Sequence, residues 1–288
     1  MRMKPDPARY EICVIQGEEG YYDKLDDVFI SMNVLAETYK GLSGLPIYGP
    51  TPSLGDLNLY WLRARDRIKE ALQSELEWKP ELDQAETYLG QDVGTKSLFV
   101  VLYVDIVNST TLSRVLSGIA YRTLVSIFLR EVSLIIDGYG GFVHKYTGDG
   151  VIAFFPAEHN TVGVTNGAVD SAAVMRLLIQ NILNPMLAQA KYPEVQFRIG
   201  VDSGETQIVA LGAENVKSTI DLLGYTMNIA AKICAVCAPD QMLIGEAVYR
   251  SLHVSRKAQF KEAFIPRTKW AYLDATTNRV YPLFMPVV

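Results

Sequence analysis

The sequence predicts an α+β fold, a ferredoxin-like β-α-β-β-α-β layer preceded by a helical N-terminal extension. Three observations lead there. SLFVVLYVD, residues 97–105, is apolar and β-branched almost throughout and reads as a buried strand. GYGGFVHKYTGDGVIAFFP reads as a hairpin, with glycines bounding two apolar runs. Around these segments, helical spacings alternate with short strands, a pattern that predicts a sheet containing antiparallel pairs with its helices packed on one face.

The elements follow in order. Residues 1–96 are punctuated by Pro and Gly and carry two helical patterns, residues 24–39 and a second from the Asp56 cap to Pro80. In the second, Trp61, Ala64, Ile68, Leu72 and Leu76 form an apolar stripe, with Arg63, Arg67, Lys69 and Glu70 off it. Residues 97–288 form the second region. After the strand at 97–105, residues 110–138 read as a long amphipathic helix with Leu112, Val115, Leu116 and Ile119 on one face. The hairpin strands fall at 141–146 and 151–155, with the turn at 147–150. A helix over 166–189 is interrupted by Pro185, 195–200 and 207–211 read as two strands, and 225–236 as a third helix.

Composition narrows the class. The chain has 288 residues, 49% of them hydrophobic and 20% charged, as expected of a folded chain. A net charge of −5 offers no global basic field for nucleic acid. Three cysteines, Cys13, Cys234 and Cys237, argue against a secreted disulfide scaffold. No apolar run approaches the ~20 residues of a membrane span, and the N-terminus lacks the apolar core of a signal peptide, so a cytoplasmic protein is expected.

Two aspartates occupy matching points. Asp105 ends the first strand just before VNSTTL opens a helix, and Asp149 sits in the hairpin turn between Gly148 and Gly150. If strand and hairpin are neighbours, both carboxylates meet at one sheet edge. Paired carboxylates hold a hard cation such as Mg²⁺, and the N–H groups opening the helix at Asn108, Ser109, Thr110 and Thr111 suit phosphate oxygens. Taken singly, Asp105 also suits a helix N-cap and GDG a plain hairpin turn.

These segments resemble the class III nucleotidyl cyclases, the family of most adenylate and guanylate cyclases. VDIVNST resembles the first metal motif, HKYTGDGVIAFF the second, and DLLGYTMNIAAKI the segment that holds base and ribose, all in the family's order over residues 98–252. The resemblance implies that Asp105 and Asp149 bind two Mg²⁺ or Mn²⁺ ions with the Ile106 carbonyl assisting. It implies that Lys145 and Asp221 read the base, that Asn228 orients the ribose, and that Lys232 stabilises the reacting phosphorus. Asn228 and Lys232 share a helix face at i, i+4. Arg267 or Lys269 would meet the terminal phosphates. The activity implied is conversion of a nucleoside triphosphate to a 3′,5′-cyclic nucleotide and pyrophosphate by a homodimer with its sites between subunits.

The sequence departs from the family at three points. Lys232 stands where an arginine is usual and offers a point charge in place of a planar fork. Asn108 and Ser109 replace Gly-Phe. Lysine donates and aspartate accepts, so the pair complements the ring-nitrogen and amino edge that adenine and cytosine share and opposes that of guanine and uracil. ATP is the favoured substrate. AAKIC, NPMLAQAKYP and the tail WAYLDATTNRVYPLF are similar to bacterial antiphage pyrimidine cyclases, which makes CTP or UTP the alternative; a nucleotide-binding module without turnover is the second alternative. Cys234 and Cys237 read as buried thiols, and His144 is expected on the strand face opposite Lys145.

Overall fold

A computed structural model of the chain describes residues 10–15, 17–24, 28–31, 52–74, 78, 82–212, 219–274 and 277–287. Near the N-terminus β1 (Tyr10–Ile15), β2 (Glu18–Asp23) and β3 (Val28–Ser31) form an antiparallel sheet. The helix expected over 24–39 is therefore corrected at Val28–Ser31, where β-branched and aromatic residues pair with β2. Apart from Lys24, the rest of that interval lies outside the described residues.

α1 (Leu57–Gln73) starts where Asp56 accepts hydrogen bonds from the N–H groups of Asn58 at 2.8 Å and Leu59 at 3.3 Å. It ends at a Ser74 cap, short of Pro80, and buries Ala64, Ile68 and Ala71. Arg67 is not off the buried side. Three residues after Ala64 and four before Ala71, it reaches Glu131, which is 0% exposed, with Nε at 3.0 Å and Nη2 at 2.6 Å. α2 (Asp83–Gly90) follows.

The main sheet is built on β4 (Lys96–Ile106), which is apolar on both faces and buried on both. It pairs antiparallel with β6 (Gly150–Pro156) on one side and β7 (Phe197–Leu211) on the other. The order continues outward through β5 (Phe142–Tyr146) beyond β6. Beyond β7 lie β9 (Gln241–Gly245), β11 (Leu283–Pro286) and β10 (Phe260–Glu262). β8 (Thr219–Leu223) pairs with the far part of β7.

Four helical segments differ from or refine the sequence expectation. The helix expected over 110–138 is two, α3 (Ser109–Val115) and α4 (Gly118–Gly138), because Ser117 caps the second by accepting from the Ala120 N–H at 3.2 Å. α5 (Thr161–Leu178) begins earlier than residue 166, at an Asn160 cap. Pro185 does not interrupt the run: a π turn (Ile179–Leu183) absorbs the mismatch and delivers Pro185 into the first turn of α6 (Asn184–Gln189), where its missing N–H is harmless. α7 (Tyr225–Val236) matches its expected bounds, and the short α8 (Glu246–Ser251) and α9 (Val254–Lys257) follow. By length and composition Thr161–Gln189 would suffice to cross a membrane, yet most of it is buried inside the fold.

Helices cover both faces of the sheet, not one. Val100, Leu102 and Val104 pack with α1, α4 and α5, while Phe99 and Val101 pack with Ala85 and Leu89 of α2 and with Met227 and Ala230 of α7. A strand apolar on both sides requires cover on both. α7 seats directly on β7 at Gly200, where a Cβ would lie 2.3 Å from the Cys234 nitrogen.

The two strands expected at 195–200 and 207–211 are one, because the polar stretch between them is satisfied within the sheet. Asp202 is 2% exposed and accepts the Tyr281 hydroxyl at 2.8 Å, while the Ser203 hydroxyl donates to the Phe99 carbonyl at 3.3 Å. Burial pushes the Asp202 carboxyl up to about 7, against the Tyr281 hydrogen bond.

Two outcomes are expected. Asp202 keeps its proton in the folded state between its ordinary value near 3.8 and about 7, so folding loses stability as pH rises through that window. Asp202→Asn should be level with the wild type near pH 4 and gain on it by on the order of 1 kcal/mol per pH unit up to the upper limit, measured by urea titration. Arg67→Leu leaves buried Glu131 with only the neighbouring Arg130 and should cost about 2–4 kcal/mol of unfolding free energy, most of it recovered in Arg67→Leu/Glu131→Leu.

Candidate active site

The site begins with strand register. Asp105, next to last in β4, stands opposite Gly150 of β6 and opposite Arg198 of β7. Asp149 precedes Gly150, so the hairpin turn is carried to the end of β4. Gly150 has no alternative there, since a Cβ would lie 2.8 Å from the Val104 carbonyl oxygen and 3.0 Å from Asp105 Oδ1. The N-cap reading of Asp105 is overturned, because Asn108, in a left-handed conformation at φ 58°, is the cap residue of α3.

Asp105 accepts a hydrogen bond from Arg198 Nη2 at 2.7 Å on Oδ2. Burial, then the charge of Asp149, push the Asp105 carboxyl up, and Arg198 opposes both. Two half-buried carboxylates that repel each other, with one guanidinium bonded to Asp105, make a donor set suited to a hard divalent cation. Among the described residues no group of three or more His, Cys, Asp or Glu gathers, so further ligands would come from a carbonyl such as Ile106, from substrate and from water, as Mg²⁺ prefers.

Asn108 and Thr110 are exposed and Ser109 half-buried at the start of α3. The Thr111 N–H already donates to the Asn108 carbonyl at 2.8 Å, which removes it from the donors expected for phosphate. Tyr121 of α4 joins this edge. Burial followed by the charge of Asp149 raises its hydroxyl above the ordinary value, and nearby Ser109 opposes them.

A second cluster forms between β5 and β8. Lys145 Nζ donates to Asp221 Oδ2 at 2.5 Å, and His144 Nε2 meets Asp221 Oδ1 at 2.8 Å. The expectation that His144 faces away from Lys145 is corrected: the β5–β6 register shifts between Val143 and Lys145, and this bulge turns successive residues toward one carboxylate. Burial acts to raise Asp221, but the hydrogen bonds from Lys145, His144 and the Leu222 N–H outweigh it and hold the carboxyl below its usual range. Tyr103 of β4 stands close enough that, after burial, the charge of Asp221 raises its hydroxyl.

Asn228 and Lys232 lie on the exposed side of α7, opposite the face that buries Met227, Ile229, Ala230 and Ile233. Among the described residues neither makes a side-chain hydrogen bond or ion pair to Asp105 or Asp149. Lys269 sits in an exposed turn, its N–H donating to Pro266 at 2.8 Å, and Arg267 is exposed beside it. The Cys234 and Cys237 thiols are buried and donate to the carbonyls of Arg198 and Ile199.

Sequence reasoning thus missed Arg198, Tyr121 and Tyr103 and misplaced His144. For Arg198 a signal existed: a charged residue set between apolar Phe197 and Ile199 near the start of a strand.

A βαββαβ sheet with a carboxylate pair where its central strand ends is the architecture of nucleotide-cyclising domains. The chain belongs to the adenylate and guanylate cyclase catalytic domain family, whose profile matches residues 94–268, more than half of the sequence. A cytidylate cyclase of Escherichia coli is 26% identical over 166 residues, 53% of this chain and 35% of that protein. An adenylate cyclase of Anabaena cylindrica is 27% identical over 170 residues, 56% of this chain and 32% of that protein. The chain thus spans about a third of the length of these curated relatives. The crystal structure of the adenylyl cyclase CyaB from P. aeruginosa superposes with a TM-score of 0.56 at 22% identity, covering 67% of this chain and 95% of that one, a likeness of fold.

If the carboxylate pair takes a divalent cation, Mn²⁺ should raise the melting temperature in a saturable way, by about 2.7 kcal/mol of stabilisation at a hundredfold excess over Kd. Asp105→Ala and Asp149→Ala should each abolish that rise. Scanning calorimetry across a Mn²⁺ series checks it, and an undiminished rise in both variants would place the cation elsewhere.

Proposed function

We propose that this chain is a nucleotidyl cyclase that converts a nucleoside triphosphate, ATP first, into its 3′,5′-cyclic monophosphate and pyrophosphate. The observation that carries the reading is the register placing Asp105 opposite Gly150, so that Asp149 and Asp105 share one sheet edge within a domain of this family.

The 3′-hydroxyl oxygen of the ribose attacks the α-phosphorus in line, the hydroxyl proton is lost, and the bond to the bridging oxygen breaks to release pyrophosphate. Such a reaction needs positioning and charge neutralisation more than covalent catalysis. Asp105, Asp149 and the Ile106 carbonyl would hold divalent cations, Mg²⁺ or Mn²⁺, which would lower the pKa of the 3′-hydroxyl and neutralise the phosphate charge. Arg198 holds Asp105 Oδ2 and leaves Oδ1 for that role. Asn108, Ser109 and Thr110 receive phosphate oxygens at the start of α3, with Tyr121 beside them. Asn228 orients the ribose, Lys232 meets the charge that develops at phosphorus, and Lys269 meets the terminal phosphates. Lys145 donates to the ring nitrogen of the base, and Asp221, kept ionised, accepts from its amino group.

Asn228 and Lys232 reach a substrate at the aspartates of a second copy of the chain. Exposed Leu223 and Tyr225 beside them, at 47% and 49%, supply apolar surface for that association. A homodimer then carries two equivalent sites, each with the aspartates of one protomer and Lys145, Asp221, Asn228 and Lys232 of its partner.

A second reading, CTP as substrate in an antiphage signalling setting, is favoured by one observation: relatives named cytidylate cyclase from Escherichia coli and Staphylococcus aureus match this chain. Cytosine presents the same edge as adenine, so the Lys145–Asp221 pair serves both.

The test is turnover with Mn²⁺ and each of ATP, CTP, GTP and UTP, products identified by mass spectrometry, with Asp105→Ala as control. Cyclic AMP is the expected product; cyclic CMP would select the second reading. Cyclic GMP or UMP would overturn the base assignment. No product from a folded dimer would overturn the cyclase reading in favour of a binding module.

A further inference from the structure

Asp221 has two carboxylate oxygens in unlike positions. Oδ1 takes His144 Nε2 and the Leu222 N–H, each at 2.8 Å, while Oδ2 takes Lys145 Nζ at 2.5 Å. The two basic partners differ as sharply, the His144 side chain being 4% exposed and that of Lys145 39%. His144 is sealed beneath the carboxylate, its ring edge-on to Phe154 at 6.1 Å, whereas Lys145 opens to whatever lies above. Against a carboxylate held ionised, Nε2 is the donor, and burial, which disfavours the imidazolium, keeps the ring neutral.

We propose that His144 is the positioning residue that sets base specificity, by occupying Asp221 Oδ1 so that only Oδ2, beside Lys145, faces the base. This rests on the reading of Lys145 and Asp221 as the base-reading pair. The consequence is chemical. Guanine presents two adjacent donors, a ring N–H and an amino group, which a carboxylate with both oxygens free grips in parallel. An Asp221 with Oδ1 closed from below offers one acceptor only. One acceptor next to the Lys145 donors matches an amino group beside a ring nitrogen and leaves guanine's second donor, and its carbonyl, unserved. The bulge in β5 is the device that makes this possible, since regular alternation would send His144 to the other face of the strand.

The experiment compares wild type, His144→Leu, His144→Asn and His144→Gln as full chains, by initial rates on the four nucleotides. Equilibrium binding of the four 3′-deoxynucleoside triphosphates, which lack the attacking hydroxyl, runs in parallel. His144→Leu removes the donor, and His144→Asn is too short to place one at Oδ1. Either should raise KM for the preferred substrate about tenfold, change kcat far less, and shrink the preference over GTP by about tenfold. His144→Gln carries an amide N–H at nearly the same reach and should restore most of the preference. Unchanged ranking of the four bases in the Leu and Asn variants would overturn the proposal, as would an equal loss on all four that Gln does not rescue. If the Leu variant does not fold, the Asn and Gln variants decide alone. If the wild type binds nucleotides and turns over none, the cyclase reading fails by itself and the binding ranks decide the role of His144.

Discussion

The site depends on the register of β4 between β6 and β7. At a single rung Asp105 faces Gly150 on one side and Arg198 on the other, which sets one carboxylate, a second borne by the adjoining turn, and the guanidinium that restrains the first. A one-residue slip would replace Asp105 at that rung with Val104 or Ile106. Because β4 is apolar on both faces, burial alone does not forbid the slip. Local features that fit one alignment only do so. Gly150 admits no side chain against the Val104 carbonyl, Gly200 admits none beneath α7, and Ser203 and Asp202 find their hydrogen-bond partners in this register. Asp202 and Ser203 thus help fix where the site falls, although neither of them belongs to it.

The two clusters are in opposite electrostatic states. At the aspartate pair, burial and mutual repulsion push the Asp105 carboxyl up, and one arginine answers them, so the pair gains by taking up positive charge. At the cluster between β5 and β8, three donors already surround Asp221 and hold its carboxyl down. Under the proposed roles, a metal site completed by its ligand needs that incompleteness, while a group that discriminates between hydrogen-bond patterns needs its partners fixed beforehand. The same sheet supplies both: Asp105 lies half-buried where β4 ends, whereas β5 and β8 bring their side chains together over a packed aromatic floor of Phe142 and Phe154.

Much of this was legible in the sequence because the chemistry lies in short segments that fold locally. The hairpin with its GDG turn, the strand ending in Asp105 and α7 follow from apolar runs, glycines and period, and the helix face shared by Asn228 and Lys232 follows from spacing alone. What stayed hidden depends on partners distant in the chain. The polar stretch inside β7 reads as a break until Tyr281, far along the chain, is seen to cover Asp202. Arg67 reads as solvated until Glu131 appears beneath it, and His144 reads as facing away until the bulge is known. A bulge has no fixed sequence signature, so alternation gave the wrong face at His144. The N-terminal strands escaped for another reason: Val28–Ser31 is short, and a four-residue run carries too little period to distinguish strand from helix.

α7 links the two clusters. Its buried side is committed twice, with its backbone against Gly200 and with Met227 and Ala230 packed into the same core as Phe99 and Val101 of β4. Cys234, on that side, donates its thiol proton to the carbonyl of Arg198, the residue that restrains Asp105. The helix therefore cannot rotate to bring Asn228 and Lys232 inward without lifting off the strand whose Arg198 restrains Asp105. Their outward direction is a consequence of the packing that builds the rest of the site. Under the role proposed for Lys232, a side chain fixed to face away from its own sheet would meet its phosphate on a second copy of the chain. A lysine at 232 suits such a position, since its flexible stem can cross an interface that a rigid guanidinium fork would have to meet in one orientation.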